Sequence, residues 1–328
     1  MPCFNEERFL TSAVESLVDD YVMEFAEILV IDGMSTDNTI ASARELQKKN
    51  YPIRILENGK RLQCYGLNQG INEAEGDIIV RVDAHSIYPE GYVKNLVNLL
   101  ETTGAANVGG IMLPKGKNTV QKAVAMAMRH PVGVGDAKFH LGNFKGYVDT
   151  VYLGTFRKDI FRNVGLYDTN CRTNEDAELN IRILKQNEKI YLDSSIAVEY
   201  LPRDTFSKLA IQYFRYGMGR AYTTTKHKQV TSLRQLAAPA LVTGLIGTAI
   251  LTVIHPLFFL SWTMYLLAVF AVALLTPPEP KTPVKLRLAL GVAFIVMHVT
   301  WGMGFLGFFL KKITGKAPKI TGKIELNN

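Results

Sequence analysis

Apolar and polar positions follow two different patterns along this chain. Up to about residue 225, short apolar runs alternate with stretches of helical spacing, as in 27–31 followed by 37–49. The predicted strands cover 27–31, 54–56, 77–82, 107–113, 147–153 and 197–201, and the predicted helices cover 37–49, 62–74, 89–101, 175–186 and 204–224. Because strands that alternate with helices favour parallel pairing, this pattern predicts an α/β fold with a mostly parallel sheet and flanking helices.

From residue 236 onward the apolar residues form three long segments, at 236–254, 257–275 and 288–310. The first two are each about 19 residues long, close to the roughly 20 residues that span a bilayer. A buried hairpin in a soluble protein is the alternative, but three runs of this length exceed ordinary core helices. The predicted parts of the chain are an α/β domain (1–203), an amphipathic interfacial helix and linker (204–235), the membrane segments (236–310) and a basic tail (311–328).

The net charge of +7 is concentrated beside the apolar segments. This placement favours a membrane surface over nucleic acid, since no basic helix is interleaved with aromatic residues. If the α/β domain is cytoplasmic, Lys281, Lys285 and Arg287 in the second connection obey the positive-inside rule. A third crossing would place the Lys-rich tail outside, against that rule. Either the third segment is re-entrant or interfacial, or one of the first two does not cross.

Cysteine usage and the first residues indicate the compartment. The three cysteines form no C-x-x-C pair, so neither a disulfide framework nor a zinc site is expected. Residues 1–7 lack the basic and apolar regions of a signal peptide. Both observations fit an α/β domain in a reducing compartment.

Acidic residues follow two of the predicted strands. Asp32 ends the first apolar run and Asp83 follows the run 77–82, while residues 2–7 are expected at a third strand end. Ligands of open parallel sheets bind beyond the carboxyl ends of the strands, so these positions are expected to meet in one crevice.

Asp83-Ala84-His85 is the strongest local signal for a metal site. In extended backbone the first and third residues point the same way, so a carboxylate and an imidazole would face one divalent cation. This oxygen and nitrogen set suits Mn²⁺, whereas Mg²⁺ would keep more waters. The alternative is that Asp83 caps a turn and His85 is an exposed loop residue.

Five motifs occur in one order along the chain, and together they resemble family 2 glycosyltransferases. They are PCFNEE (2–7), VIDGMSTDNT (30–39), GLNQGINEAEGDIIVRVDAH (66–85), TNEDAEL (173–179) and QYFRY (212–216). With the terminal apolar segments and the DAH variant, the chain is similar to the succinoglycan-type enzymes that build bacterial exopolysaccharides. The resemblance implies a GT-A fold, Rossmann-like, over roughly residues 1–225.

The resemblance also implies roles in donor binding. Asp32 is expected to contact the base of the nucleotide, and Glu6 lies where the family's first-strand loop meets the nucleoside. Asp83 and His85 stand at the family's Asp-x-Asp metal motif, with His in place of the second Asp. Arg61 lies where a basic residue often approaches the donor.

Asp176 matches the family's catalytic base, which takes the proton of the acceptor hydroxyl as that hydroxyl attacks the anomeric carbon. A single displacement of this kind inverts the anomeric configuration. The neighbouring Glu175 is expected to face the acceptor or the diphosphate. From spacing alone, residues 173–176 fit a capping box that opens the next helix equally well.

Gln212, Arg215 and Tyr216 resemble the Gln-x-x-Arg-Trp motif of processive family members, with Tyr in the Trp position. On a helix these three share a face and would present an amide, a guanidinium and an aromatic ring to acceptor and diphosphate. The alternative is a membrane-surface helix whose Arg and Tyr lie among lipid headgroups.

The function implied is inverting transfer from a UDP-sugar, with Mn²⁺ or Mg²⁺, to a polyprenyl-diphosphate-linked saccharide in exopolysaccharide or cell-surface polysaccharide synthesis. The expected location is the bacterial inner membrane, multi-pass, with the catalytic domain in the cytoplasm and no nucleic-acid partner. The alternatives are a processive polysaccharide synthase and a non-catalytic membrane adaptor that retains a GT-A shell.

Family members normally carry an apolar strand directly before the P-C-x-N-E motif, but Met1 alone precedes Pro2 here. Loss of a central strand would leave backbone groups of its neighbours unpaired. The expectation is that the natural chain begins upstream or that this form folds poorly.

Overall fold

Within the residues that the computed structural model describes, 1–230, 232–275 and 281–316, the chain forms nine strands and fourteen α-helices. The strands are β1 (Pro2–Cys3), β2 (Ile28–Asp32), β3 (Ile53–Glu57), β4 (Ile78–Val80), β5 (Ser86–Ile87), β6 (Asn107–Pro114), β7 (Lys145–Tyr147), β8 (Tyr152–Arg157) and β9 (Ile190–Tyr200). The helices are α1 (Leu10–Leu17), α2 (Asp20–Phe25), α3 (Thr39–Lys48), α4 (Gln63–Glu73), α5 (Tyr92–Thr103), α6 (Thr119–Met128), α7 (Pro131–Val134), α8 (Lys138–Leu141), α9 (Ile160–Val164), α10 (Glu175–Lys185), α11 (Phe206–His227), α12 (Arg234–Leu251), α13 (Leu260–Leu275) and α14 (Val284–Ile313).

These elements form two compact units. The first contains Met1–Leu113 and Lys138–Tyr200, and the second contains Pro114–Ala137 and the described residues from Leu201 onward. Nothing in the sequence pattern predicted that Pro114–Ala137 belongs to the second unit.

A parallel three-stranded sheet, in the order β1-β2-β3, forms one half of the first unit. All five residues of β2 are buried, as expected for a central strand whose faces are both covered. β1 pairs with β2 over Pro2 and Cys3, and the amino group of Met1 donates to the Leu29 carbonyl at 2.9 Å.

The second sheet has the order β4-β8-β6-β9-β5, with β7 also paired to β9. The pairs of β8 with β4 and β6 are antiparallel, and so are those of β9 with β5 and β7. The α/β class is confirmed, with a mixed set of strand directions. The parallel prediction holds for the β1-β2-β3 half, where a helix follows each strand.

Three local predictions differ from the structure. The predicted strand 147–153 falls across the connection between β7 and β8, and Leu153 has a left-handed φ of 51°. The predicted strand 197–201 is the end of the longer β9, whose pairing with three other strands leaves no local sequence signal. Ala84 and His85 form a turn before β5, so the extended backbone assumed for the Asp-x-His motif is wrong.

The second unit contains the three predicted apolar segments, all of which are helical. Three helical spans are long and apolar enough to cross a membrane: Arg234–Leu251, Pro256–Leu275 and Val284–Ile313. The second of them begins with a 3₁₀ turn at Pro256–Phe259, which leads into α13. α11 packs against α14 through Gly217 and Gly304, where an added Cβ would collide with backbone of the facing helix.

Candidate active site

The carboxyl ends of the three parallel strands place their loops at one edge of the sheet. Cys3, Asp32 and Glu57 lie in register across β1, β2 and β3. The Asn58 backbone N–H, just beyond β3, donates to the Asp32 carbonyl at 2.7 Å. The loops after residues 3, 32 and 57 therefore share an edge, as the parallel pairing predicted.

Asp32 is buried and held in one orientation. Its Oδ2 accepts from the Ser35 backbone N–H at 3.0 Å, and its Oδ1 accepts from the Ser35 hydroxyl at 2.5 Å. Met34, between them, has a left-handed φ of 64° that closes this short loop. The Asp32 carboxylate is therefore a preorganised acceptor at the sheet edge.

The loop after β1 is tied to the loop after β2. Asn5 donates its backbone N–H to the Ser35 hydroxyl at 2.9 Å, and its side-chain oxygen accepts from the Thr36 backbone at 2.8 Å. The Glu6 backbone N–H donates to the Thr39 hydroxyl at 2.7 Å. These bonds fix the position of the Glu6 side chain.

Glu6 and His85 meet although they are distant in the chain. His85 Nδ1 lies 2.9 Å from Glu6 Oε1, and the imidazole side chain is 40% exposed. A carboxylate on one ring nitrogen is the usual arrangement behind a metal-ligating histidine, since it sets the tautomer and directs the other nitrogen. The residues thus fit a role for His85 as a ligand and for Glu6 as its orienting group.

The backbone of Asp83 is held by the Tyr88 hydroxyl. The Tyr88 hydroxyl accepts from the Asp83 N–H at 2.7 Å and donates to the Asp83 carbonyl at 2.8 Å. The side-chain Oδ1 of Asp83 is buried and has no hydrogen-bond partner among the described residues. Its nearest cation is the Arg81 guanidinium, 3.7 Å away and beyond hydrogen-bond distance, so this oxygen fits a metal ligand. The described residues contain no cluster of three or more His, Cys, Asp or Glu side chains for a metal, so Asp83 and His85 would need further ligands from substrate and water.

Arg81 connects Asp83 of the Asp-x-His motif with two carboxylates of α10. This side chain is only 6% exposed; it donates to Glu175 Oε1 at 3.0 Å and also to Asp176 Oδ1, and it lies 3.7 Å from Asp83 Oδ1. The Arg81 backbone N–H donates to the Gly154 carbonyl at 3.1 Å, which continues the β4–β8 pairing and holds the guanidinium in place. The buried Arg81 guanidinium is therefore the shared partner of three carboxylates.

The surroundings of Asp176 raise the pKa of its carboxyl. Burial raises the pKa of this carboxyl, Arg81 opposes the rise, and Glu175 and Asp83 add to it, with a result of about 6. The side chain remains 28% exposed, so the carboxylate is open to a ligand. An accessible carboxyl that titrates just below neutral pH suits a general base.

For the base role that the resemblance predicts for Asp176, we expect the reaction rate to rise with pH through about pH 6 and to level off above it, because a carboxyl accepts a proton only when it is ionised. Since its folded-state pKa lies above its unfolded value, ionised Asp176 opposes folding, and its contribution to stability falls as pH rises from about 4 to about 6. Initial rates at saturating substrate between about pH 5 and pH 8, with nucleotide binding measured in parallel, test this. A rate that stays constant down to pH 5 would contradict it.

α10 begins at Glu175 with Asn174 rather than Thr173 as its N-cap, so the capping-box alternative at residues 173–176 does not match the start of this helix. Asn174 makes no side-chain cap hydrogen bond within the described part of the chain, and its φ is left-handed at 62°. Glu175 and Asp176 bind Arg81 instead. The left-handed turn at Asn174 directs the Glu175 and Asp176 side chains toward the buried cation.

The remaining predicted residues occupy two regions. Arg61 is exposed, with a left-handed φ of 59°, in the loop after β3 at the same sheet edge as Asp32. Gln212 and Tyr216 share a face of α11, where the Gln212 side-chain amide donates to the Tyr216 hydroxyl at 2.9 Å. Arg215 is exposed on the same helix. These three belong to the second unit, whereas the other predicted site residues belong to the first.

Arg81 and the tyrosines around Asp83 were missed by sequence reasoning. Burial, followed by the negative charge of Asp83, raises the pKa of Tyr88 and Tyr92, so both remain neutral phenols. A signal for Arg81 existed, because a charged residue inside the apolar run Ile-Ile-Val-Arg-Val requires acidic partners when it is buried. The apolar run itself does not identify those acidic partners.

The chain is similar to several known proteins. The family model described as glycosyl transferase family 2 matches residues 1–165. The succinoglycan biosynthesis protein ExoA of Rhizobium meliloti (strain 1021) is 32% identical over 93% of this chain and 92% of its own length. A dolichyl N-acetyl-alpha-D-glucosaminyl phosphate 3-beta-D-2,3-diacetamido-2,3-dideoxy-beta-D-glucuronosyltransferase of Methanococcus voltae is 29% identical over 95% of this chain and 96% of its own length.

Among solved structures, the mannosyltransferase PcManGT from Pyrobaculum calidifontis, in complex with GDP-Man and Mn²⁺, has a similar fold. The TM-score is 0.59 at 16% identity, over 96% of this chain and 86% of that chain. Together with the family model, this likeness confirms the GT-A fold that the motifs predicted.

Proposed function

This chain belongs to glycosyltransferase family 2, and from that premise we propose that it transfers a sugar from a UDP-sugar to a lipid-linked saccharide at a membrane, with inversion at the anomeric carbon. That it is a glycosyltransferase of polysaccharide or lipid-linked glycan biosynthesis follows from the family model and the relatives. The donor, the acceptor and the roles of single residues are the proposal.

The observation that carries the proposal is the cluster around Arg81. It places the Asp176 carboxylate near Asp83 of the Asp-x-His motif, although the two residues are far apart in the chain. A group-transfer enzyme needs this proximity, because the base must act on the acceptor where the leaving group departs. A membrane adaptor that keeps the fold for binding has no need of it.

We assign the proton transfer to Asp176. As the acceptor hydroxyl oxygen forms its bond to the anomeric carbon, the bond from that carbon to the nucleoside diphosphate oxygen breaks, and the hydroxyl proton passes to Asp176. Arg81 keeps the carboxylate in place through its guanidinium, and Glu175, on the same guanidinium, is assigned to the acceptor side. Asp32, Glu6 and Arg61 line the loops assigned to the nucleotide and the donor.

A divalent cation fits this site, with Asp83 and His85 as its protein ligands. When bound, it would neutralise charge on the diphosphate leaving group. The chain's own part is to hold the Asp83 backbone through Tyr88 and the His85 ring through Glu6, so that both ligands are preorganised.

The relatives and the apolar helices support the proposed acceptor and location. One relative's name specifies a dolichyl phosphate-linked sugar as its acceptor, and the other's specifies succinoglycan biosynthesis. A polyprenyl-diphosphate-linked saccharide at the cytoplasmic face of a bacterial inner membrane combines these features. By resemblance, Gln212, Arg215 and Tyr216 are assigned to the acceptor and diphosphate.

A panel of nucleotide sugars tests the function. The purified full-length chain, with Mn²⁺ and a synthetic polyprenyl-diphosphate saccharide, is incubated with UDP-, GDP- and dTDP-sugars, and released nucleotide and glycosylated lipid are measured. We expect a UDP-sugar to give both products in equal amounts. Donor binding without turnover for every sugar would favour the adaptor, and lipid products of many added sugars would favour a processive synthase.

Metal removal is expected to stop the reaction. Chelation should abolish transfer, and Mn²⁺ or Mg²⁺ should restore it, because Asp83 and His85 then bind a cation again. In Asp83→Asn, we expect the Mn²⁺ concentration for half-maximal activity to rise at least about tenfold, since a neutral amide is a weaker ligand than a carboxylate. Mn²⁺ binding by electron paramagnetic resonance gives a readout independent of turnover. Unchanged Mn²⁺ affinity in Asp83→Asn would contradict the assignment.

A further inference from the structure

Two opposite faces of α4 are buried. Gly66 and Gly70, one turn apart, lie against β2, where an added Cβ would be 3.4 Å and 2.7 Å from side-chain atoms of Ile31. Cys64 and Asn68, also one turn apart, are two positions out of phase with the glycines, or about 200° around the helix. Both of these side chains are buried as well. α4 therefore lies between β2 and another layer of the first unit.

That layer contains the segment that leads to α10. Asn68 makes two bonds to the backbone of Tyr167: its Nδ2 donates to the Tyr167 carbonyl at 2.9 Å, and its Oδ1 accepts from the Tyr167 N–H at 2.9 Å. One turn earlier, the Cys64 thiol donates to the Cys171 carbonyl at 3.0 Å. Because both partners are main-chain groups, these bonds hold the backbone of residues 167–171 on α4.

The two thiols act here as hydrogen-bond donors. Burial raises the pKa of Cys64 and of Cys171 above the usual thiol range, so both stay protonated. The Cys171 thiol donates to the Thr173 carbonyl at 3.2 Å, and the Cys171 N–H donates to the Asp168 carbonyl at 3.0 Å. These bonds continue the hold on the backbone to Thr173, directly before the left-handed Asn174.

The start of α4 is bound to the loop after β3. The Asn58 backbone, which donates to the Asp32 carbonyl, belongs to this loop. The Asn58 side chain donates through Nδ2 to the Leu62 carbonyl at 3.0 Å and accepts at Oδ1 from the Lys60 N–H at 3.1 Å. Since Leu62 directly precedes α4, the helix is fixed at this end to the strand end at Asp32 and to the loop that carries Arg61.

We propose that α4 positions the base relative to the nucleotide, with Asn68 and Cys64 as positioning residues for Asp176. The inference rests on the proposed function, which assigns the acceptor proton to Asp176 and the nucleotide to the sheet edge at Asp32. Asn68 and Cys64 act through the backbone of residues 167–173, which leads into α10. Group transfer depends on such positioning, because a misplacement of about 1 Å can cost on the order of 10²-fold in rate.

Loss of these bonds is expected to lower turnover and to spare donor binding. Asn68→Ala removes both bonds to Tyr167, and we expect the turnover number to fall on the order of 10²-fold. Cys64→Val keeps an apolar side chain of similar size but no donor, and it should lose roughly threefold to tenfold. Cys64→Ser can still donate and should stay within about twofold of the original. Donor affinity by calorimetry should stay within about threefold in all three variants.

Hydrogen exchange gives a readout that does not depend on catalysis. Amides of residues 166–173 should exchange faster in Asn68→Ala and Cys64→Val than in the original chain, whereas those of β2 should be unchanged. Leu100→Ala is the matched control for lost stability, because Leu100 is fully buried in α5 and belongs to a different apolar cluster from Cys64. It should lower the thermal midpoint and retain turnover measured well below that midpoint.

Several results would overturn the inference: full turnover in both Asn68→Ala and Cys64→Val, equal losses in Cys64→Val and Cys64→Ser, an equal loss in Leu100→Ala, or a loss of donor affinity that accounts for the loss of rate. If Asn68→Ala does not fold, the comparison of Cys64→Val with Cys64→Ser decides. Failure of the proposed function is distinguishable, because Asp176→Asn would then keep its rate whatever the α4 variants do.

Discussion

Asp176→Asn is expected to lower the turnover number on the order of 10³-fold, within the range for loss of a general base. The amide keeps the shape and can still accept a bond from Arg81, but it does not take the acceptor proton. Donor affinity should stay within about threefold of the original, because Asp176 is assigned to the acceptor and not to the nucleotide. Turnover with saturating donor and acceptor, together with nucleotide binding by calorimetry, measures the two effects separately.

Asp159→Asn is the matched control for this change. Asp159 is exposed in the same unit, before α9, and makes no cap hydrogen bond to the described residues. Its amide variant should retain full turnover. If Asp176→Asn keeps more than about a tenth of the original rate, Asp176 is not the base.

Arg81→Met is expected to lower the thermal midpoint by on the order of 10 °C, because it leaves Asp83, Glu175 and Asp176 together without a counterion. Breaking a buried charge cluster by removing one partner costs about 3–5 kcal/mol. Arg81→Lys keeps the charge but loses the planar fork that reaches two carboxylates at once. We expect the Lys variant to fold, to lose at least about tenfold in turnover, and to move the acid limb of the rate profile to higher pH.

Arg54→Met separates this effect from the loss of any arginine. Arg54 also pairs with two carboxylates, Glu27 and Glu75, but it is 37% exposed. Solvated pairs contribute about 0–1 kcal/mol, so its midpoint should fall by only a few degrees. Equal losses in the two Met variants, or a Lys variant with an unmoved pH profile, would refute the role assigned to Arg81.

Much of the site was predictable because its residues stand in short local patterns. Apolar runs that end in Asp32 and Asp83 mark strand ends, and parallel strands bring their carboxyl ends to one edge whatever the remaining topology. The resemblance added Asp176, which spacing alone left balanced between a base and a capping box. The roles of these residues remain predictions, while their proximity around Arg81 is a property of the structure.

What the sequence determined by itself was the type of each element and the chemistry available at its ends, since hydrophobic periodicity and motif order are local quantities. Only the tertiary structure decided which groups meet. Arg81 reaches Glu175 across 94 residues because β4 pairs with β8 and the left-handed turn at Asn174 directs α10 toward it. In the same way, apolar length marked three membrane candidates, but which of them pack together depends on contacts such as that of Phe270 with Gly291. Contacts of this kind join distant segments, and their energies depend on burial that no local pattern records.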